Sequence, residues 1–523
     1  MQQEDNMQQY PSIFNDVIGP VMIGPSSSHT AASQRIGAFI RSLAGGKTLR
    51  RFRMSADPAG SLAATYHTQM SDRALLAGLL GYSAYDAALL DAFRLAREAG
   101  LDYGFSVEPH GPGHPNTYYL DCRDQQGQDF SLVALSVGGG MFQIIEYQGF
   151  PIMIDGGFYE SLLICPEEGS LAWQQRVAAR LNIPYGLEAV AQGGQVLIRV
   201  FTETKPDWGE WAGAAGFRLA EPVLPIGAQL RPQVPFVLAA EIKAYAQSQD
   251  LSLSRLALIY ESARSGLREE AVLAKMLEIV ALLRASLNAP ATAGPAPRIL
   301  PNQARLIQGQ ALLGGDFSQS VIHYVTRFMD IKTSLGVIVA APTAGACACL
   351  PGTVFALGEL LKLDETALAG ALLAAGLVGV VIARLSTFAA EVCGCQAECG
   401  AGSGMAAAAC AEIMGLSAEQ GLAAASLALQ NVAGMVCDPV GRKVEVPCLG
   451  KNMMGAFNAI ASANMAAAGF AEVIPLDETV TALDQVGKAL PRELRCTGLG
   501  GLSVTPAGLA IDAYLAGLEQ DLA

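Results

Sequence analysis

The sequence is poor in charge and in aromatic rings. Charged residues make up 16% and aromatic residues 7% of its 523 positions, against 51% hydrophobic residues. So much apolar material buries a large core, which excludes a wholly disordered chain. Positive charge is scarcer than negative: 34 Lys and Arg face 48 Asp and Glu, a net charge of −14. Without a basic surface to displace counterions, no nucleic-acid partner is expected. The opening MQQEDNMQQYPSIF has no basic flank followed by an apolar core, so it does not read as a secretory signal and the expected location is cytoplasmic. Long hydrophobic runs are few. Mean hydropathy is +0.32, yet the most apolar run without a charge, residues 367–383, is rich in Ala and Gly. It falls short of the roughly 20 residues of a membrane span. It reads as a buried helix, and no membrane partner is expected.

Length predicts two to four domains at roughly 100 to 200 residues each. Residues 1–150 mix helical and strand signals: a periodic stretch at 31–43, then apolar or alternating runs at 117–121, 130–137 and 142–147 around Gly138-Gly139-Gly140. Residues 151–165 read as a strand pair, 170–181 as an amphipathic helix, and 187–191 and 195–201 as strands. This β-α-β-β order over 151–204 has the size of a small ACT-like regulatory module. Residues 205–235, with Pro, Gly and Trp at intervals, read as a linker. Beyond Phe236 strands nearly vanish. Helices are predicted at 236–249, 254–265, 268–287, 365–384, 405–414 and 416–430, the last with Ser417 and Gln420 at capping-box spacing. The four prolines of 289–301 mark a loop. The expected fold class is α+β: an N-terminal α/β domain, the small middle segment and a large all-α catalytic domain over 236–523.

Cysteine is nearly absent from the first two thirds of the chain. Of eleven, only Cys122 and Cys165 precede residue 340, and nine lie between Cys347 and Cys496. In a reducing compartment that concentration points to metal or redox chemistry. Cys437, in Cys437-Asp438-Pro439, and Cys448, after Val446-Pro447, stand on backbone that proline keeps out of a regular helix. Two such thiols suit one metal centre with a distant third. Spacing leaves that third open among Cys347, Cys349, Cys393, Cys395 and Cys399. Cys410, inside an Ala-rich helix, reads as core. Gly400, Gly402 and Gly404 are expected to prevent a stable helix before Met405.

Several motifs in order resemble the bacterial iron–sulfur-dependent L-serine dehydratases. They are Asn431-Val-Ala-Gly-Met-Val-Cys437-Asp-Pro-Val, Val444-Glu-Val-Pro-Cys448, Lys451-Asn452-Met-Met-Gly455-Ala, Ala340-Ala-Pro342-Thr343-Ala344-Gly345 and Gly394-Cys395-Gln396-Ala397-Glu398. Gly24-Pro25-Ser26-Ser27-Ser28-His29-Thr30 and Ser136-Val137-Gly138-Gly139-Gly140 resemble motifs of that family's other part, so the two parts are fused here. The resemblance runs from about Ser12 to Gly469.

What it implies is specific. Cys395, Cys437 and Cys448 fall on the family's three ligands of a 4Fe–4S cluster whose fourth iron lacks a protein thiolate. Such an iron acts as a Lewis acid on the hydroxyl of L-serine, giving aminoacrylate, then pyruvate and ammonia, within amino-acid catabolism and gluconeogenesis. Ser28 and His29 are the catalytic candidates. Ser26, Ser27, Thr30, Thr343, Lys451 and Asn452 are the substrate-binding candidates, and a homo-oligomer is expected. The chain departs from the family pattern after Thr65-Tyr66, where Gln69 replaces an expected His and His67 lies two positions away. Another hydroxy or β-substituted amino acid, or a cluster-bearing regulatory protein, is the competing expectation. Replacing Ser28 or His29 by Ala is expected to lower kcat while the cluster's absorption persists.

Overall fold

The computed structural model describes residues 10–111, 113–209, 216–289, 298–307, 310 and 313–521. Contacts divide the chain into two compact units. One comprises Met1–Ser28, Gly138–Gly140 and Gln233–Ala523; the other comprises His29–Val137 and Met141–Pro232. The expected 1–150 domain therefore gives up its first segment and its triple glycine to the helical unit. The chain is α+β: the two larger sheets lie in the second unit, and a two-stranded antiparallel pair, Val21–Ile23 with Val337–Val339, lies in the helical unit.

Alternating burial builds that second unit. β1 (Arg51–Ala56) turns Phe52, Met54 and Ala56 inward and its other residues outward, the period-two signature of a strand with one covered face. With β2 (Asp102–Val107), β3 (Thr117–Arg123), β4 (Asp129–Gly138), β5 (Met141–Tyr147) and β6 (Phe150–Ile154) it forms a six-stranded sheet in the order β2-β1-β3-β4-β5-β6. β1 and β2 run parallel, and β1–β3, β3–β4 and β5–β6 antiparallel. Helices Ala32–Leu43 and Ser71–Leu80 pack against one another at two glycines. A Cβ on Gly37 would stand 2.3 Å from the carbonyl O of Leu75, and one on Gly78 would stand 2.2 Å from that of Gln34.

β7 (Tyr159–Pro166), β8 (Tyr185–Gln192), β9 (Gln195–Thr202) and β10 (Phe217–Ala220) form a four-stranded antiparallel sheet in the order β10-β7-β9-β8. Helix Ser170–Arg180 adds Val177 to its apolar core. The sequence reading found this helix and the strands on either side of it but misjudged both ends. Residues 151–165 split between the two sheets, because β6 pairs with β5. Residues 205–235 are not a plain linker: Trp208 enters the core and β10 adds an edge strand. Residues 210–215 of that segment, and 290–297 of the proline-rich loop, lie outside the described residues.

The helical unit is built round helix Glu365–Leu385, which carries the apolar run found in the sequence. Ala344–Leu361 and Glu365–Leu385 are long and apolar enough to cross a membrane, but 78% of each is buried inside the protein. Gly376 and Gly379 let Ile13 and Val17 press onto the second of these helices. The N-terminal segment is held there by charge. Glu261, fully buried, accepts hydrogen bonds from Ser12 Oγ (2.9 Å), Ile13 N (2.8 Å) and Arg264 Nε (2.9 Å), while the Tyr260 hydroxyl donates to the carbonyl O of Pro11 (2.7 Å). One expectation fails: the glycine-rich segment is helical from Cys399 to Ile413. Two of its glycines lie where neighbours leave no space for a Cβ: Val432 Cγ2 is 2.9 Å from the one Gly400 would carry and Leu429 Cγ 2.8 Å from that of Gly404. Tertiary packing there outweighs a propensity penalty of roughly 1 kcal/mol per glycine.

Two substitutions test this account by thermal melting. Gly78→Ala should destabilise by about 1–3 kcal/mol through overpacking, whereas Gly517→Ala, with nothing within 4 Å, should stabilise its helix by up to ~1 kcal/mol. Glu261→Ala removes the buried carboxylate that Ser12, Ile13 and Arg264 share and should cost about 3–5 kcal/mol.

Candidate active site

The cysteines converge in the helical unit. Cys395, Cys399 and Cys437 pack with Ala346 and Ala390 in one buried cluster that Met435 and Cys496 flank. Gly394 makes the approach possible: at φ +70° it turns the chain so that Gln396 N donates to the carbonyl O of Met435 (3.1 Å), and a Cβ on Gly394 would lie 2.8 Å from that oxygen. Gln396 Oε1 accepts from Gly434 N (2.8 Å) and its Nε2 donates to the carbonyl O of Leu483. Cys437 is fixed from the other side. Its N–H donates to the carbonyl O of Leu494 and its own carbonyl accepts from Cys496 N, each at 2.8 Å.

Cys448 opens helix Cys448–Ala467, and Asn452 one turn later ties it to the rest. Asn452 Nδ2 donates to the carbonyl O of Cys448 (2.9 Å) and of Gly345 (2.7 Å), and lies 3.6 Å from Cys399 Sγ. Its Oδ1 accepts from Ala348 N (3.2 Å) and Cys349 N (2.9 Å). Both ends of the amide are thus engaged by the protein, and Asn452 is a brace. Lys451 is likewise occupied: Nζ donates to the carbonyl O of Val436 (2.6 Å) and to Asp438 Oδ1 (2.9 Å). Glu445 accepts from Ile299 N and Leu300 N, and holds the intervening loop.

Thr343 caps the next turn by accepting from Ala346 N (3.2 Å), and Ser27 Oγ accepts from Ala344 N (3.3 Å). The Ser26–Ser28 segment, in the helical unit, therefore reaches the Thr343 turn. Gly138, at φ +102°, lies with Ala389 N 2.8 Å from where its Cβ would be, just before the helix Ala390–Cys393 that leads to Cys395. His29 and Thr30 belong to the other unit. There His29 Nε2 and Thr65 Oγ1 are 2.7 Å apart, and Thr30 Oγ1 donates to the carbonyl O of Gln69 (3.0 Å). Gln69 is buried, whereas His67 is more than half exposed with Nδ1 2.6 Å from Asp72 Oδ2. His67 does not share the surroundings of Gln69.

Electrostatics follow from this dryness. Burial pushes the Cys448 thiol up to about 12. Hydrogen bonds from the Cys399 and Cys437 thiols hold Cys395 well below the usual thiol range, and they raise both donors correspondingly. Burial, then the Cys395 charge, pushes Glu398 up to about 8. Three side chains that sequence reasoning gave no role stand here. Glu398 lies inside a quoted motif, and its neighbours were the signal. Lys332 is a lysine on an otherwise buried helical turn, and Cys496 follows the main cysteine group. In the other unit, the Ser61 hydroxyl and the Asn116 side-chain amide are buried with no hydrogen-bond partner among the described residues.

The donors suit an iron–sulfur group. Cys395 and Cys437 pack in one buried cluster, and Cys448, on a third segment, is joined to it through Asn452; thiols are the donor type such clusters take. Among the described residues, no three His, Cys, Asp or Glu side chains close as they would round a single ion. Thiolates of a cubane bind different irons and share no common ion. Cys349 and Cys410 are buried core thiols; burial pushes Cys410 up to about 12.

Comparison with known proteins agrees in both halves. The family profile described as "Serine dehydratase alpha chain" matches residues 241–503, and that described as "Serine dehydratase beta chain" matches residues 13–98. The chain is 42% identical over 193 residues to a probable L-serine dehydratase alpha chain of Latilactobacillus sakei, covering 37% of this chain and 92% of the relative. It is 38% identical over 185 residues to a probable L-serine dehydratase beta chain of Bacillus subtilis (35% and 82%). It is also 30% identical over 283 residues to an L-serine dehydratase of Streptomyces coelicolor (52% and 61%).

Asn452→Ala should leave the buried N–H groups of Ala348 and Cys349 without their acceptor, at about 1–3 kcal/mol for each unsatisfied group. A lowered melting temperature, and loss of iron on anaerobic reconstitution, are the expected readings.

Proposed function

The chain belongs to the serine dehydratase family, with alpha-type and beta-type parts in one polypeptide, and from that premise we propose that it deaminates L-serine to pyruvate and ammonia in the cytoplasm. The observation that carries the reading is the packing of Cys395 and Cys437 in one buried cluster, with the buried Cys448 tied through Asn452 to Cys399 of the same cluster. All eleven cysteines are free thiols, as a reducing compartment requires.

The three thiolates would hold a 4Fe–4S cluster, which supplies a Lewis acid for the departing hydroxide. The chain's own groups do the rest. Gln396, Asn452 and Lys451 fix the thiol-bearing segments, so that the reacting centre needs little reorganisation. The buried thiols and the Ala346 and Ala390 methyls exclude water, which strengthens every polar contact to a bound zwitterion. Thr343 and Ser27 bring hydroxyls to the turn that Asn452 braces. Glu398, held toward its neutral form by burial, offers a carboxyl group rather than a second negative charge beside the substrate carboxylate.

The test is an anaerobic assay of the full chain on L-serine and a panel of hydroxy amino acids, with iron and sulfide measured on the same sample. Pyruvate from L-serine with iron bound is the expected result. Cys395→Ser, Cys437→Ser and Cys448→Ser should each lose iron and activity, and Cys410→Ser neither. A wild-type protein without iron, or a Cys437→Ser variant with full activity, overturns the assignment. Turnover of a different hydroxy amino acid in place of serine relocates the substrate, as the buried Gln69 would allow.

A further inference from the structure

Lysine is almost never fully buried unless it is paired. Lys332, in the last turn of helix Gly315–Thr333, is 1% exposed. Its Nζ donates to the carbonyl O of Val444, a neutral acceptor, and among the described residues it forms no ion pair. An ammonium has three donors to satisfy. The Val444 bond seats the ammonium on the Val444–Cys448 segment, four residues before the Cys448 thiol, and its charge lowers the thiols of Cys448 and Cys347 and the Glu398 carboxyl against their burial. The pocket's other lysine differs on this point. Lys451 Nζ is 2.9 Å from Asp438 Oδ1, so a carboxylate already meets its charge.

Thiolates gathered in a dry pocket lose their hydration and repel one another, and the penalty for each buried ion is severe unless opposite charge is near. Lys451 with Asp438 is close to neutral as a pair. We propose that Lys332 is a positioning residue supplying the uncompensated positive charge against which the three-thiolate cluster is assembled. The inference rests on the cluster reading above. It also explains an otherwise unfavourable arrangement: the ammonium is a burden to the metal-free protein and an asset to the loaded one. These opposite signs separate it from a lysine that merely ties down the Val444 loop.

Lys332→Gln keeps an N–H for the Val444 carbonyl and removes the charge, while Lys332→Met removes both. Metal-free and anaerobically reconstituted full-length proteins are compared. Metal-free Gln and Met variants should melt no earlier than metal-free wild type. Loaded, both should lose iron in air at least about tenfold faster. Their cluster potentials, followed by redox titration, should move negative, a tenfold change in a one-electron equilibrium being about 59 mV. Wild type that binds no iron overturns the cluster reading and this inference with it. A loaded wild type whose variants hold iron equally long at an unchanged potential overturns this inference alone. Metal-free variants that melt earlier than wild type, or a Gln variant that behaves as wild type while Met does not, show a structural tie and overturn it equally.

Discussion

The pocket depends on one side-chain amide. Asn452 takes hydrogen bonds from the backbone of the Ala344–Cys349 turn and returns them to Gly345 and to Cys448, so that two distant segments have a single spacing. Backbone groups buried at such a place have no water to fall back on, and an unmet donor there costs more than an ordinary hydrogen bond gains. The thiols can be dry because the backbone around them is satisfied. Gln396 does the same for the Cys395 side, linking Gly434, Met435 and Leu483.

Close approach is the second condition, and glycine supplies it. Gly394 and Gly138 both hold positive φ where a side chain would strike backbone. On helix Cys399–Ile413, the glycines that weaken the helix locally are what allow its neighbours to reach it. Propensity and packing oppose each other there, and packing prevails.

Much of this was legible in the sequence, for identifiable reasons. β3 and β4 announced themselves by alternation and helix Glu365–Leu385 by its uncharged run, whereas β1, which alternates as cleanly, was passed over because its outward residues are two arginines and a serine. Cys437 was legible as irregular backbone because proline follows Asp438; Cys448, expected on such backbone too, instead opens helix Cys448–Ala467, since a proline just before the first helical residue costs no intrahelical bond. β2 was missed because Asp102-Tyr-Gly-Phe-Ser-Val is half exposed and shows no clean alternation. The helix before Met405 was missed because the reason for its glycines lies on Leu429 and Val432, far along the chain. Lys451 and Asn452 were read as groups facing a substrate; their partners prove to be carbonyls, amides and a carboxylate of the protein itself, which no spacing rule displays. Lys332 escaped notice because only burial distinguishes it from a solvated lysine.

The segment that Glu261 holds also bears on the order of events during synthesis. Residues 11–18 leave the ribosome long before Glu261, Gly376 and Gly379, against which they rest. Between them the chain delivers nearly the whole of the other unit, His29–Val137 and Met141–Pro232. That inserted unit has its own sheets and core, and domains tend to fold as they emerge. The opening segment must therefore wait, unpaired, while a complete neighbour forms behind it. Closure of the helical unit is a late, long-range event, with a loop of more than two hundred residues already collapsed into a compact knot, which leaves far less chain entropy to be lost than an open loop of that length would carry.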